Sequence, residues 1–470
     1  MTDSSPIRVA VIGSGPAGFY TAGHLLKDAS AEFEVDMLER LPTPWGLVRS
    51  GVAPDHPKIK SVTRIYEKTA AHPRFRYFGN VELGRDISRE DLLEHYHAIV
   101  YATGSSVDRP LGIDGEELSG SHPATEFVGW YNGHPDYSAL ELDLQSAERA
   151  VVIGNGNVAI DVARMLCLTR EELACTDIAD HALEVLEHSR VNEIVIVGRR
   201  GPAQAAFTTP ELLELGELSD ADVIVDPDEL ERALAIPDPS ATPTAERNVQ
   251  ILRDYAARPP AGRRRRIVLR FLLSPAALIP GEDGRLAAIE LVRNELVADA
   301  DGRLRAQPTA ERERIDAGLV FRAIGYRGVP LPGVPFDERG GVIPNADGRV
   351  LDPSSGTSLP GEYVVGWIKR GPSGVIGTNK KDAQQTVDAI IADVAAPANG
   401  RARLLAPASP DPAAVETVLR ARQPAVVTYA GWAEIDRHER ALGEASGRPR
   451  VKLTRIEEML RIAASEDPSA

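Results

Sequence analysis

Two short segments of the sequence share a spacing of small residues that suits close contact with phosphate. The first is Gly13–Gly18 (GSGPAG), and the second is Gly154–Ala159 (GNGNVA). In this pattern the first glycine permits a tight turn, and the second lets the backbone approach a pyrophosphate. The third small residue lets a helix pack close to a strand. The spacing therefore predicts two dinucleotide sites in one chain.

Each glycine segment stands where a strand should give way to a helix. The apolar runs Ile7–Ile12 and Ala150–Ile153 come before the glycines, and the helical patterns Phe19–Leu26 and Ile160–Leu166 come after them. A helix that begins there turns its free N–H groups and its partial positive charge toward the phosphates. The arrangement predicts an α/β fold with two Rossmann-like, three-layer dinucleotide-binding domains.

The two segments differ in the residue that ends the next strand. Phe33–Leu38 is followed by Glu39, 21 residues beyond the first segment, where a carboxylate accepts hydrogen bonds from ribose hydroxyls. Glu193–Val197 is followed instead by Gly198 and the pair Arg199–Arg200. A guanidinium binds a 2′-phosphate that a carboxylate would repel. The second site is therefore predicted to take NADP(H) rather than NAD(H).

Both assignments have a simpler alternative. The first segment could be an ordinary glycine turn with an unrelated acid on the surface, and the two arginines could merely sit on a solvated strand end. Arg199 also lies 40 residues after Ala159, about twice the usual offset. Residues 168–190 would then be an insertion between the helix and the strand.

A third glycine-rich region lies near residue 370. The short strand Ile99–Gly104 ends in small residues, as a closing strand of a nucleotide fold does. Tyr363–Trp367 reads as another strand, and it meets the loop Lys369–Gly377. The following helix carries Lys380 and Lys381 in its first turn, where they oppose the helix dipole, which is either a functional hint or a pair of solvated side chains. Its apolar face is predicted to consist of Ala383, Val387, Ile390, Ile391 and Val394.

The composition of the chain excludes several kinds of partner and of redox site. The chain has 470 residues, a net charge of −16 and two cysteines, Cys167 and Cys175. The negative charge argues against general binding to nucleic acids or acidic membranes. Two cysteines eight positions apart exclude a Cys-x-x-Cys pair, a four-thiolate cluster and a disulfide framework. Electron chemistry would need a cofactor that cysteines do not hold. The first residues lead straight into an apolar strand, so no signal peptide is expected and a cytoplasmic location is predicted.

Further stretches carry a family resemblance. They are Thr43–Lys58 (TPWGLVRSGVAPDHPK), Gly198–Pro202, Ala206–Glu211 and Gly366–Asn379. With the two glycine segments, they make the chain resemble the adrenodoxin-reductase-type ferredoxin–NADP reductases, the bacterial members above all, over essentially its whole length. The resemblance implies an oxidoreductase that passes hydride from NADPH to a non-covalent FAD, and then single electrons to a ferredoxin-type iron–sulfur protein.

The resemblance also implies roles for individual residues, and no metal. His56 and Glu211 would be the polar catalytic residues nearest the reaction centre, although a lone histidine beside a proline is often a plain loop residue. Besides Gly13, Gly15 and Gly18, contacts to FAD are expected from Ala17, Glu39, Leu47, Leu83, Trp367, Gly374, Val375 and Ile376. Contacts to NADP(H) are expected from Arg109, Asn155, Gly156, Asn157, Val158, Arg199, Arg200 and Glu211, with Gly374 near the nicotinamide.

These roles set the expected domain organisation. Because the flavin would touch both the first glycine segment and the region around Gly366, the FAD-binding domain is expected to be discontinuous, 1–107 plus 326–470. An NADP-binding domain, 108–325, would be inserted between its halves. The Pro-, Asp- and Ala-rich segments 217–262 and 395–412 read as loops and linkers. Two helices are predicted in the tail, at about 411–422 and 431–442, with no evident purpose.

The electron acceptor would be a separate protein, since this chain lacks cluster ligands. A basic face for an acidic ferredoxin could include Arg263–Arg266, Lys58, Lys60, Arg64, Lys369 and Arg370. Alternatively, the four arginines merely flank the strand Ile267–Leu273, or one or two of them bind the NADP phosphate. Three other functions stay open: a glutamate synthase small subunit and a disulfide reductase, both of which normally need cysteines absent here, and a redox-sensing module that binds nucleotides without turnover.

Overall fold

The computed structural model describes residues 6–236, 238, 241–300, 302–396 and 404–466. The chain divides into two compact units. The first unit comprises residues 1–52, 56–107 and 326–470, and the second comprises 53–55 and 108–325. Part of the expected linker 395–412, namely 397–403, lies outside the described residues.

The described elements alternate between strands and helices through most of the chain. The strands are β1 (Ile7–Ile12), β2 (Phe33–Glu39), β3 (Phe75–Gly79), β4 (Ala98–Tyr101), β5 (Val107–Asp108), β6 (Ser121–Pro123), β7 (Arg149–Ile153), β8 (Glu193–Gly198), β9 (Ala221–Val225), β10 (Arg265–Phe271), β11 (Leu273–Pro280), β12 (Leu286–Ala298), β13 (Leu304–Asp316), β14 (Leu319–Arg322), β15 (Tyr326–Arg327), β16 (Asn345–Ala346), β17 (Arg349–Leu351) and β18 (Ser358–Val364). The helices are α1 (Pro16–Leu25), α2 (Leu47–Ser50), α3 (Pro57–Lys60), α4 (Thr63–Ala70), α5 (Arg89–His95), α6 (Ala124–Tyr131), α7 (Asn157–Cys167), α8 (Arg170–Ala174), α9 (Asp180–Glu187), α10 (Thr209–Leu215), α11 (Pro227–Leu234), α12 (Pro243–Ala257), α13 (Trp367–Arg370), α14 (Thr378–Ala395), α15 (Pro412–Arg422), α16 (Tyr429–Ala445) and α17 (Ile456–Ala463). Three short 3₁₀ turns span Pro135–Tyr137, Pro202–Gln204 and Ala464–Glu466.

A seven-stranded sheet forms the centre of the first unit, in the order β16-β17-β18-β4-β1-β2-β3. Its five strands from β18 to β3 are parallel, and β16 and β17 add an antiparallel edge. β1 is apolar from Val9 to Ile12 because both faces of the sheet are covered: Val9 and Val11 join one buried cluster, and Ala10 and Ile12 join another. Arg8 of the same strand is also buried, and it pairs with Asp36 of β2.

The second unit is built around a parallel sheet in the order β6-β14-β7-β8-β10-β9. One face packs on helices, in a cluster that includes Ala150 and Ile160. The other face packs on the antiparallel sheet β11-β12-β13, through Val151 and Leu291. The three layers are therefore helices, parallel sheet and antiparallel sheet. The chain enters and leaves this unit at adjacent points, where the Arg109 N–H donates to the Gly325 carbonyl at 3.0 Å.

Several secondary-structure expectations need correction. The segment 217–262 is not a loop, since it holds β9, α11 and α12. Its prolines do not interrupt these helices: Pro227 and Pro243 each stand at a helix start, after the capping residues Asp226 and Thr242. The strand expected over Tyr363–Trp367 ends at Val364, because Gly366 makes a turn with φ 81° and Trp367 begins α13.

Other expectations are confirmed. The insertion 168–190 contains α8 and α9, and the tail contains α15 and α16 close to the expected positions. The tail also has a further helix, α17, that was not expected. Within the described part of the chain, no helix combines the length and the apolar composition needed to cross a lipid bilayer.

Candidate functional site

The first glycine turn joins β1 to α1 with two contacts that exclude a side chain. Gly13 has φ 105°, and a Cβ there would lie 2.6 Å from the Ala102 carbonyl oxygen. A Cβ on Gly18 would lie 2.2 Å from the Gly13 oxygen. Gly15 differs, since it caps α1 with an ordinary φ of −75° and a Cβ there would meet nothing within 4 Å. Gly13 and Gly18 are therefore required by the fold, whereas Gly15 leaves space at the helix N-terminus, where a pyrophosphate fits.

The strand-end acid lies against this turn. One oxygen of the Glu39 carboxylate accepts hydrogen bonds from the Ser14 N–H at 3.0 Å and the Ser14 hydroxyl at 2.6 Å. The other oxygen accepts from the Leu41 N–H at 3.1 Å. A carboxylate offers about four acceptor positions and three are occupied here, so Glu39 keeps about one position for a ribose hydroxyl. Ser14 was missed by sequence reasoning, although its place between the two glycines puts it within reach of a strand-end acid.

A loop after β2 lies on the same turn. The Trp45 N–H donates to the Ser14 carbonyl at 3.0 Å, and a Cβ on Gly46 would lie 2.9 Å from Gly15 Cα. Leu47 follows at once and is exposed. The loop thus places Leu47 next to the first glycine turn. Leu83 is buried in the apolar cluster on one face of the sheet.

The turn at Gly366 reaches the same place from the C-terminal half. A Cβ on Gly366 would lie 2.7 Å from Ala17 Cβ in α1. The Gly366 N–H donates to the carboxylate of Asp382, which also pairs with Lys369 at 3.0 Å. Trp367 follows, half-buried, with its ring centroid 5.7 Å from that of Tyr326. The structure therefore brings Ala17 and the Gly366 turn together. Asp382 was missed because its partners are distant in sequence.

Gly374, Val375 and Ile376 precede helix α14. Val375 is 55% exposed, Gly374 is exposed and Ile376 is half-buried. The backbone of this loop is therefore open to a ligand. Lys380 and Lys381 are both exposed, in agreement with the simpler reading that they are solvated. The predicted apolar face of this helix is confirmed, with Ala383, Val387 and Ile390 buried and Ile391 and Val394 packed against them.

The second glycine turn repeats the geometry of the first. A Cβ on Gly154 would lie 2.2 Å from the Ala323 carbonyl oxygen, whereas the nearest atom to a Cβ on Gly156 is 4.0 Å away. The Asn157 side-chain oxygen accepts from the Thr208 N–H at 2.8 Å, and the Asn155 carbonyl accepts from Ala206 N–H at 2.9 Å. Residues 155–158 thus lie beside the segment that leads into α10, the helix that carries Glu211.

Arg199 and Arg200 follow β8, next to the second glycine turn. β8 runs parallel to β7, and a Cβ on Gly198 would lie 2.7 Å from the Asn155 side-chain nitrogen. Neither guanidinium has a hydrogen-bond or ion-pair partner in the described ranges of the chain. Partial burial and then the charge of Arg199 lower the pKa of Arg200. The two side chains therefore keep their hydrogen-bond donors available, and such donors are what a phosphate group requires.

The remaining expected site residues are distributed over both units. His56 is buried at the start of α3 in the first unit, and Glu211 is buried in the first turn of α10 in the second unit. Arg109 is exposed in the second unit, close to where the chain enters it.

Part of the expected basic face is wrong. Lys369 is buried, and its ammonium group pairs with Asp382 and donates to Gln385 at 2.9 Å. Arg265 is buried as well, and it donates to the Cys167 carbonyl at 3.0 Å. Both side chains serve the interior of the fold and cannot meet a partner protein.

The other arginines of the run are exposed but engaged within the second unit. Arg263 donates to backbone carbonyls, including that of Ala221 at 3.0 Å. Arg264 pairs with Asp220 at 2.8 Å, and Arg266 pairs with Glu193. In the first unit, by contrast, Lys58, Arg64 and Lys68 are exposed, and their side chains have no ion-pair partner in the part of the chain that the structure describes.

Comparison with known proteins identifies the family. Residues 7–196 match the family model of pyridine nucleotide-disulphide oxidoreductases. NADPH-ferredoxin reductase FprA of Mycobacterium tuberculosis H37Rv is 52% identical over 463 residues, covering 97% of this chain and 99% of the relative. The mitochondrial NADPH:adrenodoxin oxidoreductase of Arabidopsis thaliana is 40% identical, covering 98% and 96%. The solved structure of M. tuberculosis FprA in complex with NADPH has a TM-score of 0.91 and 51% identity, covering 98% of this chain and all of that one. The resemblance predicted from the sequence is thereby confirmed, and the chain belongs to the NADPH–ferredoxin reductases of the adrenodoxin-reductase type.

Proposed function

We propose that this protein is an FAD-dependent NADPH–ferredoxin reductase that delivers the electrons of NADPH to a ferredoxin-type iron–sulfur protein. The observation that carries the proposal is the pair of glycine turns, each with open space at a helix N-terminus. One turn is joined to a strand-end acid, and the other lies beside two arginines whose guanidinium groups have no hydrogen-bond or ion-pair partner in the described part of the chain. Bound FAD supplies the chemistry that links a two-electron hydride donor to a one-electron acceptor. The protein's own task is to bind and orient the two nucleotides.

The first unit is the proposed FAD-binding domain, 1–107 plus 326–470. Contact between Ala17 and the Gly366 turn supports this assignment, since it joins the N-terminal glycine turn to the C-terminal half. Glu39 would hold the ribose, and Leu47 lies beside the turn that would hold the pyrophosphate. The flavin ring would lie near Trp367 and the exposed backbone of Gly374–Ile376. Leu83 stays a prediction from the family resemblance alone.

The second unit is the proposed NADP-binding domain, 108–325. The space at Gly156 supports a pyrophosphate position at the start of α7, where the neighbouring Asn155, Asn157 and Val158 would contact it. Arg199 and Arg200 would bind the 2′-phosphate. Arg109 would contribute a further contact to NADP(H).

His56 and Glu211 are the proposed polar residues at the reaction centre. Hydride transfer needs no side-chain nucleophile, so their role would be to orient the nicotinamide and to hold or release a proton. Both are buried, which keeps their side chains in fixed positions. If His56→Gln and Glu211→Ala both kept the hydride-transfer rate of the unchanged protein in stopped flow, this assignment would be wrong.

The iron–sulfur partner is proposed to dock on the face formed by Lys58, Arg64 and Lys68 on α3 and α4. Among the described residues of the first unit these three side chains have no ion-pair partner, and their charges complement an acidic protein. Arg263, Arg264 and Arg266 stay a second candidate surface, weakened by their existing carbonyl and carboxylate partners. A cytoplasmic location also stays a prediction.

The decisive experiment combines a spectrum with an acceptor assay. Purified protein should show flavin bands near about 370 and 450 nm, which NADPH bleaches faster than NADH does. Cytochrome c should be reduced by NADPH only when a ferredoxin is added, while ferricyanide should be reduced directly. A protein that binds both nucleotides without turnover would be a redox sensor instead. A protein that stays colourless after reconstitution with FAD would contradict the whole assignment.

A further inference from the structure

The loop that lies on the first glycine turn has a strained backbone. Trp45 has φ 85° and Gly46 has φ 49°, so two adjacent residues occupy the left-handed region. Glycine adopts this region readily, but tryptophan rarely does, because its Cβ crowds the backbone. Such a conformation persists only where the surroundings hold it. The contacts around Trp45 should therefore explain why the loop keeps this shape.

The C-terminal helices supply those contacts. The Trp45 ring meets the Trp432 ring of α16 edge-on, with centroids 4.9 Å apart at 82°. The Arg450 guanidinium lies over the Trp45 ring at 5.7 Å, and the Arg49 guanidinium lies over Trp432 at 5.4 Å. These aromatic and cation–π contacts enclose the strained residue, which is 4% exposed.

A buried ion pair fixes the other end of the loop. The two terminal nitrogens of the Arg49 guanidinium donate to Glu439 of α16, one of them at 2.8 Å, and the Glu439 side chain is fully buried. Glu439 also accepts from Arg450 at 3.1 Å and from the Leu453 N–H at 2.8 Å. Lys452 donates to the Arg49 carbonyl at 3.1 Å. Burial would raise the pKa of Glu439, but Arg49, then Arg450 and the Leu453 N–H, hold it below its usual value.

We propose that Glu439, Arg49 and Trp432 are positioning residues of the first dinucleotide site. Through them, the segment 429–453 holds the loop 45–49 against the glycine turn. Gly46 then stays so close to Gly15 that a Cβ on Gly46 would lie 2.9 Å from Gly15 Cα, and Leu47 stays beside the pyrophosphate position. This inference rests on the proposed function, since it takes FAD as the ligand of that turn. It gives α16 and the segment that follows it, up to residue 453, a purpose: they preorganise the FAD site.

The test is Glu439→Gln in the full-length protein, which removes one buried charge and keeps the shape of the side chain. Its effect on FAD affinity is measured by titrating apoprotein with FAD and following the quenching of flavin fluorescence. We expect the Kd for FAD to rise by about tenfold or more, because the strained loop is no longer held. Arg49→Lys keeps the charge but loses the two-point contact, so it should give a smaller rise in Kd.

Asp393→Asn is the matched control. Asp393 is also a buried carboxylate of the first unit, paired at two points with Arg349 at 2.7 and 3.0 Å and bonded to the Tyr363 hydroxyl. It lies at the end of α14 far from Gly374–Ile376. The Asp393→Asn substitution should lower the unfolding temperature of the apoprotein about as much as Glu439→Gln does. The Kd for FAD should stay within about twofold of that of the unchanged protein.

The possible outcomes distinguish a failure of this inference from a failure of the proposed function. If both variants lose stability and neither changes the Kd for FAD, or if both change it equally, Glu439 is merely structural and the inference is wrong. If Glu439→Gln fails to fold, Arg49→Lys decides on the same readout, since an unchanged Kd there also overturns the inference. Failure of the unchanged protein to bind FAD would overturn the proposed function itself.

Discussion

Arg199 and Arg200 place two like charges side by side, and neither guanidinium has a hydrogen-bonded or ion-paired carboxylate in the described part of the chain, although the charge of Asp238 acts on Arg200 from farther away. Partial burial and the neighbouring charge both disfavour the protonated form of Arg200. Such a pair is stabilised when an anion binds between or beside the guanidinium groups. These two arginines therefore give the clearest indication of which nicotinamide cofactor the second site selects.

The Arg200→Ala variant should lose preference for NADPH. Each charged hydrogen bond to the 2′-phosphate contributes about 1.5 to 3 kcal/mol, so kcat/KM for NADPH should fall about 10- to 100-fold, and further in the double variant with Arg199→Ala. The value for NADH should change little, because NADH lacks the phosphate. Steady-state reduction of ferricyanide measures both values. Arg264→Ala is the control, since it removes an exposed arginine of the same unit that pairs with Asp220. An equal loss for both nucleotides would count against a phosphate contact.

At this scale, the sequence shows which residues are charged but not which are already paired. Lys369 looks like a surface cation in its loop, yet its carboxylate partner Asp382 comes from the next helix. Arg265 donates to the Cys167 carbonyl, 98 residues away. These pairings depend on tertiary contacts, so the sequence alone could not predict which residues of the basic face are exposed. The glycines, Glu39 and the arginine pair were predictable, because their positions relative to strand ends follow from local order along the chain.

Within the first strand–turn–helix element, the glycines have different roles. In the first turn, the Gly18 side-chain position is blocked by the protein itself, whereas the Gly15 position is open within its unit. Substitution at the two sites should therefore have different consequences, one for the fold and one for the ligand.

Gly15→Ala should fold normally and bind FAD weakly, because the new methyl group meets no protein atom but occupies the approach to the pyrophosphate. Gly18→Ala should destabilise the protein by about 1 to 3 kcal/mol, since its Cβ overlaps the Gly13 oxygen. Thermal unfolding of apoprotein and FAD titration distinguish the two effects. A Gly15→Ala protein with full FAD affinity would exclude Gly15 from the pyrophosphate site.

The elements beside both glycine turns were predictable because apolar strands and helix starts have strong local signals. The segment 217–262 was not, because its composition resembles a loop. Pro227 and Pro243 belong to that composition, but after Asp226 and Thr242 they occupy the first helical turn, where the missing N–H has no cost. The strained Trp45 turn and its C-terminal contacts lay wholly outside sequence reasoning, since the Arg49–Glu439 pair spans 390 residues.

At the scale of the whole molecule, a net charge of −16 opposes association with an acidic partner unless a local face overcomes it. The proposed docking face on α3 and α4 supplies such a local exception. Its effect should depend on salt, because exposed charges are screened over about 8 Å at physiological ionic strength.

The rate of ferredoxin reduction should fall as salt rises, and Lys58→Glu with Arg64→Glu should lower it about tenfold at low salt and remove most of the salt dependence. Reduction of a small uncharged quinone should not change, which makes it the internal control. Arg264→Glu with Arg266→Glu is the matched comparison. If that second variant alone slows ferredoxin reduction, docking occurs on the arginine run of the second unit instead.

The antiparallel sheet of the second unit ends in β13, whose outer edge has no neighbouring strand in the described structure. That strand is mostly exposed, it contains Pro308, and charged side chains crowd its second half from Glu311 to Asp316. Proline removes one backbone donor, and alternating charges repel a copy of the same strand laid alongside. A 13-residue edge that would otherwise offer its backbone to a strand of another molecule is thereby guarded against edge-to-edge association.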